Sequence, residues 1–94
     1  MIPDPGLGHF VDHVGEAFEV DADGERFDLI LDSAAPLGHS LRPGGSFVLQ
    51  FRGPRDPILP QATYAVRRGG DRFDIFIVPL GPDANGARYE AIFN

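Results

Sequence analysis

The sequence predicts an all-β fold, a single small antiparallel barrel or sandwich of six to seven short strands. Three observations carry that expectation. Segments of alternating apolar and polar residues recur about every ten residues. Gly, Pro, Asn and Asp cluster between them. No stretch of ten or more residues carries a helical stripe.

Residues 1–8 hold two prolines and two glycines and are expected to form an irregular lead-in to one β domain over 9–94. Residues 10–14 are short and mixed and suit a strand better than a helix. Residues 16–20 alternate, with Phe18 and Val20 on one face. Asp23-Gly24 then supplies the positive-φ positions of a tight hairpin. In the returning strand, 26–32, Phe27, Leu29 and Leu31 point one way while Asp28 and Asp32 point the other. Residues 33–45 contain two prolines and three glycines, which predicts the longest loop, with room for a helical turn at Ser33-Ala34-Ala35. Residues 46–52 alternate again, with Phe47, Leu49 and Phe51 inward.

Pro54, Pro57 and Pro60 cannot sit inside a sheet, so 53–61 reads as a rigid surface connection. Strands follow over 62–67 and 72–80, separated by a turn at Gly69-Gly70-Asp71. The second is apolar on both faces, Phe73, Ile75 and Ile77 against Phe76 and Val78, as expected of a central strand. Residues 81–86 turn the chain through Asn85-Gly86, and 88–93 form the last strand.

The chain has 94 residues, enough for one domain; at that size roughly 60–65% of the unfolded surface can be buried, and little remains for a deep cleft. All eight basic residues are arginine against fourteen acids, for a net charge of −6. No basic face is available for a nucleic-acid partner. The absence of cysteine excludes a disulfide scaffold, thiolate metal sites and a Cys nucleophile, and leaves the redox compartment open. No apolar run approaches the roughly 18 residues that span a bilayer, and the N-terminus lacks the pattern of a Sec signal. The expectation is a soluble protein with no membrane partner, cytoplasmic, or exported only as part of an assembly.

The segments Phe51-Arg52-Gly53-Pro54, Leu59-Pro60-Gln61-Ala62-Thr63-Tyr64, Phe76-Ile77-Val78-Pro79 and Tyr89-Glu90-Ala91-Ile92-Phe93-Asn94, in this order and spacing, resemble a family of small bacterial proteins. Its members carry FRGP, LPQGTY, F-[LI]-V-P and a terminal YEAxFN. The family is a domain of unknown function, and its occurrence beside phage-tail-type proteins implies a structural or accessory role. Ala62 stands where the family pattern has Gly, which argues against a positive φ at that position.

No residue set reads as catalytic. His9 and His13, four apart, would share one face of a helix and could chelate a metal there, but on a strand they lie about 13 Å apart, too far for one ion, and no third ligand is evident. Asp21-x-Asp23-Gly24 lacks the later ligands of a calcium loop. Ser33, Ser40 and Ser46 sit in no nucleophile elbow, and His39-Ser40 is mere adjacency. Neither an enzyme nor a metal or cofactor is expected. The candidate binding residues are Arg52, Gln61, Tyr64, Tyr89 and Glu90. Arg52 is placed to hold loop carbonyls or a carboxylate such as Glu90, Gln61 to satisfy the Pro-rich loop, and the two tyrosines to set hydroxyls at the core's rim. The resulting expectation is a non-catalytic module that contacts a protein partner or itself, through strand edges of an open sheet. The alternative is a barrel that holds a small molecule in an aromatic interior of Phe18, Phe27, Phe47, Phe51, Phe73 and Phe76.

Overall fold

A computed structural model describes residues 5–38 and 45–94. Two short 3-10 turns, Leu7–His9 and Val11–His13, precede six strands: β1 Ala17–Ala22, β2 Glu25–Pro36, β3 Phe47–Gly53, β4 Ala62–Arg68, β5 Asp71–Asp83 and β6 Gly86–Phe93. All pairings are antiparallel, and the order β1-β2-β3-β6-β5-β4 closes on itself into a barrel. The inward residues are those the alternation selects: Phe18 and Val20, Leu29 and Leu31, Phe47, Leu49 and Phe51, Tyr64 and Val66, Phe73, Ile75 and Ile77 are all buried.

The hairpin turns follow their local chemistry. Asp23 and Gly24 have φ of 52° and 83°, the pair of positive values that a type I′ turn requires. At Gly69-Gly70 only the first glycine is positive, at 60°, as in a type II′ turn.

Closure has a geometric consequence. β3 and β4 lie three places apart in a ring of six, so they face each other across its diameter. The eight residues that join them can reach at most about 28 Å, in a molecule 26 Å by 22 Å across its shorter axes. That length suffices to cross the mouth and not to run round the wall. The connection does cross, and it is not confined to the surface as expected: Leu59 is 5% exposed within the core, and its N–H donates to the Tyr89 hydroxyl at 2.9 Å. Tyr64, on β4, donates its hydroxyl to the Pro60 carbonyl. Phe10 fills the opposite mouth, fully buried, with its ring centroid 4.9 Å from Phe73 and 5.7 Å from Phe47.

Several expectations are corrected. Residues 10–14 are not a strand: Phe10 N–H bonds Leu7 O and His13 N–H bonds Phe10 O, and only Phe10 among them is buried, so there is no alternating face to pair. The loop expected from residue 33 begins later. β2 runs to Pro36 because a bulge at Asp32 shifts the register between Leu31↔Phe51 and Ser33↔Gln50, which returns Ala34 to the core side; no helical turn forms at 33–35. A second bulge, with Leu80 as the extra residue and Gly81 at φ 98°, carries β5 past Pro79 and Pro82 to Asp83. Most of the turn expected over 81–86 is therefore strand. β5 is not central, since a ring has no centre or edge; Phe76 lies outside and is 50% exposed. Ala62 opens β4 opposite Ile77 without a positive φ, which accounts for its tolerance at that position. His39 and Ser40 lie outside the described residues.

Two glycines lock the mouth that Leu59 closes. A Cβ on Gly86 would overlap the Gly53 carbonyl oxygen, and one on Gly53 would overlap Leu29 Cδ2; Gly86 also holds φ at 124°. Gly86→Ala should therefore cost about 2 kcal/mol or more. Gly70→Ala, where a Cβ meets nothing within 4 Å and φ is not positive, should stay within about 0.5 kcal/mol. Urea unfolding of the two variants checks this.

Candidate functional site

The five residues singled out by sequence separate into two places. Tyr64 and Tyr89 point inward and put their hydroxyls on the Pro-rich connection, as expected of amphipathic rings at a core's rim. Gln61 is exposed at the end of that connection; the carbonyl of Pro60 and the N–H of Leu59 are satisfied by the tyrosines, not by Gln61. Arg52 and Glu90 lie on the outer wall, on β3 and β6. A barrel wall thus separates the two groups, and no shared site forms.

Arg52 does hold a carboxylate, but Asp32 and not Glu90. Arg52 donates to Asp32 Oδ2 at 3.1 Å, a carboxylate set outward by the β2 bulge. Glu90 accepts from Gln50 Nε2 at 3.4 Å, and Gln50 Oε1 accepts from Arg88 at 3.3 Å. The register explains the exchange: Arg52 stands directly opposite Arg88, and Gln50 opposite Glu90. Like charges facing each other across strands repel. Each arginine therefore has an acid on its far side, Asp32 for Arg52 and Asp83 for Arg88, the latter at 3.8 Å. The pairs are roughly two-fifths exposed and contribute at most about 1 kcal/mol each. They hold the register of β2, β3, β6 and β5, and no nucleophile with a base stands among them.

The adjoining stretch of outer wall is apolar. Ala35 pairs with Val48, Val48 with Ile92, and Thr63 with Phe76. Ile92 and Phe76 each lie two residues from the Val78↔Glu90 pair on the same face. Together they make a band across β2, β3, β6, β5 and β4. Phe76 and Ile92 are 50% and 52% exposed. The outward Phe76 and Val78 of β5 were legible as a second apolar face; that they meet Val48 and Ile92 on one surface follows only from the ring order.

A third feature lies at the β1–β4 seam. Only three residue pairs join these strands, Glu19↔Arg67, Val20↔Val66 and Asp21↔Ala65. Beside it, an open depression of about 290 Å³ is lined by Ala17, Glu19, Asp28, Arg67, Arg68 and Gly69. Three of its four charged residues are paired with neighbours outside it: Arg67 with Asp21 at 3.7 Å, Glu19 with Arg26 at 3.5 Å, and Arg68 with Glu16. The basic doublet is thus spent on the seam. His13 Nδ1 lies 3.0 Å from Glu16 Oε2 and 3.4 Å from Arg68, so a His13–Glu16–Arg68 cluster fastens the turn that carries Phe10 to the end of β4. Gly6 N–H donates to His9 Nδ1 at 2.9 Å. Among the described residues no three His, Asp or Glu side chains group to hold a metal ion.

Burial pushes the Tyr64 phenol above its ordinary 10.0, with Tyr89 and Asp23 adding to the shift. The folded state therefore favours the neutral phenol. Its contribution to stability is whole below the unfolded value and is lost as pH rises through the raised one. Tyr64→Phe should lower stability by about 1 kcal/mol at neutral pH through the lost Pro60 bond and flatten the alkaline decline of Tm. Thermal melts of both proteins from neutral pH upward measure this; parallel alkaline limbs would refute it.

Among the described residues no helix is long and apolar enough to cross a membrane. No curated protein and no solved structure matches the chain. The profile of a domain of unknown function, DUF6916, matches residues 5–93, nearly the whole barrel with its N-terminal turns, and the chain belongs to that family.

Proposed function

We propose that this small β-barrel of unknown function is a non-catalytic interaction or assembly module that works through its outer wall. The observation that carries the reading is the apolar band centred on Phe76 and Ile92, both about half exposed. In a 94-residue chain large apolar side chains are scarce core material. Placing a phenylalanine and an isoleucine side by side on the wall leaves apolar area that contact with a partner would remove from water.

Closure changes the mode of contact expected from sequence. An open sheet would add a partner's strand at its edge, whereas a ring presents no edge to pair. Contact would therefore be face to face. The polar network of Arg52, Gln50, Glu90 and Arg88 borders the band and would supply its rim. A role as an accessory of phage-tail-like structures is compatible with this surface and rests on the motif resemblance alone. The other reading, a barrel holding a small molecule, meets an interior packed with the chain's own rings: Phe10, Phe18, Phe47, Phe51, Phe73 and Phe93 stand in mutual contact.

Replacing both Phe76 and Ile92 by Asp should leave Tm nearly unchanged, since neither is core. It should abolish concentration-dependent association in light scattering and capture of a partner from the native host. A wild-type chain that stays monomeric at all concentrations and captures nothing would contradict the proposal. So would a variant that associates as the wild type does.

A further inference from the structure

Phe10 differs from every other ring inside the barrel in not coming from a strand. It arrives on the two 3-10 turns, and around it His9, Val11, Asp12 and Val14 are exposed. Val11 and Val14 are 45% and 46% exposed. Phe10 is the fully buried side chain of this stretch, with Leu7 packed partly buried against the core beside it. The Phe10 ring sits among four phenylalanine rings, Phe73, Phe47, Phe18 and Phe93, at centroid distances of 4.9, 5.7, 6.0 and 6.0 Å, and the exposed His9 ring lies edge-on to Phe10 at 6.5 Å and to Phe73 at 6.0 Å. The interplanar angles with the four phenylalanines are 42°, 40°, 31° and 38°, tilted packings that suit a ring among rings. Among the described residues no polar or charged residue is buried, so the socket on the interior side of Phe10 is lined by phenylalanine rings and apolar, with the His9 ring at its outer edge.

What holds the turns down lies at the surface. The His13–Glu16–Arg68 cluster is about one-third to two-fifths exposed, and two backbone bonds tie the base of the segment to β2: Gly15 N–H to Leu31 O at 2.7 Å and Leu31 N–H to Glu16 O at 3.0 Å. Gly15 stands where the turns meet β1, at φ 91° and in open space, with nothing within 4 Å of where a Cβ would lie. The barrel ladder itself begins beyond this point, at Ala17↔Ile30. No strand pair of the barrel includes a residue of the turns.

We propose that this end of the barrel is a binding pocket for an uncharged, single-ring aromatic group, occupied in cis by Phe10. The N-terminal turns act as a stopper and the ionic cluster as its latch. The apolar lining selects against charge, and the size of the displaced occupant sets the size of the ligand. Because the stopper must leave before a ligand enters, the apparent affinity of the wild type is the intrinsic affinity scaled down by the open fraction. The inference is independent of the outer band.

The test uses toluene as probe on the full chain, in three forms: wild type, Phe10→Ala and Phe10→Leu. Native-state hydrogen exchange on the wild type should show the Gly15 and Leu31 amides opening without the amides of β3 and β6. Phe10→Ala should bind toluene at least about tenfold more tightly than wild type, read as ring chemical shifts of Phe47 and Phe73 and as a rise in Tm. If Phe10→Ala does not fold, Phe10→Leu carries the comparison, since it keeps an apolar stopper of smaller grip. Exchange of the turn amides only by global unfolding would overturn the proposal. Equal toluene affinity in wild type and a folded variant, or no binding to the folded variant, would also overturn it.

Discussion

Three residue pairs between β1 and β4 convert a sheet into a ring, and the rest of the molecule answers to that closure. Once the ring exists, β3 and β4 stand on opposite sides, and the chain between them must pass over the mouth. A connection there would bury backbone groups without partners. Tyr89 and Tyr64 supply those partners from inside, and Leu59 drops into the opening. At the other end the chain enters over the second mouth and leaves Phe10 behind. A barrel of six strands is too narrow to waste interior volume, and both openings are filled by side chains delivered from outside the strands.

Much of this was legible in the residues. The alternation in β1, β3, β4 and β5 places Phe18, Phe47, Leu49, Phe51, Val66, Phe73 and Ile75 on the correct face, because a period of two has only two answers. The turn glycines were legible for the same local reason. What local pattern could not show is where the faces switch. A bulge at Asp32 lets a strand continue through Ala34 and Pro36, where composition suggested a loop, and the Leu80–Gly81 bulge does the same beyond Pro79. Prolines mark the ends of regular strands, and they also sit comfortably beside bulges. The apolar outer face of β5 pointed to a central strand in a layered fold. In a ring the same face is simply outside.

The candidate site was legible in part. That Tyr64 and Tyr89 hold the rim follows from their amphipathic rings at strand positions beside a proline-rich segment that needs partners. The partner of Arg52 was not legible, because Asp32 reaches it only through the bulge and Glu90 is taken up by Gln50. The stopper role of Phe10 left no periodic signal at all, since one buried ring between exposed neighbours has no pattern. The i, i+3 spacing of His13 and Glu16 around a turn was the sole local hint of the latch.

The functional reading depends on closure too, for a ring directs contact to its wall and an open sheet to its edge. The most direct measurement is a cross-link at the seam. Glu19 and Arg67 are Cα partners on the outer face, and the chain has no cysteine of its own. Replacing both with cysteine should yield one intramolecular disulfide under mild oxidation, within the roughly 4.4–6.8 Å Cα separation such bonds need. It should stabilise the monomer by up to about 4 kcal/mol. A folded double variant whose thiols stay free, or which cross-links only between molecules, would show that β1 and β4 do not meet and would contradict the barrel.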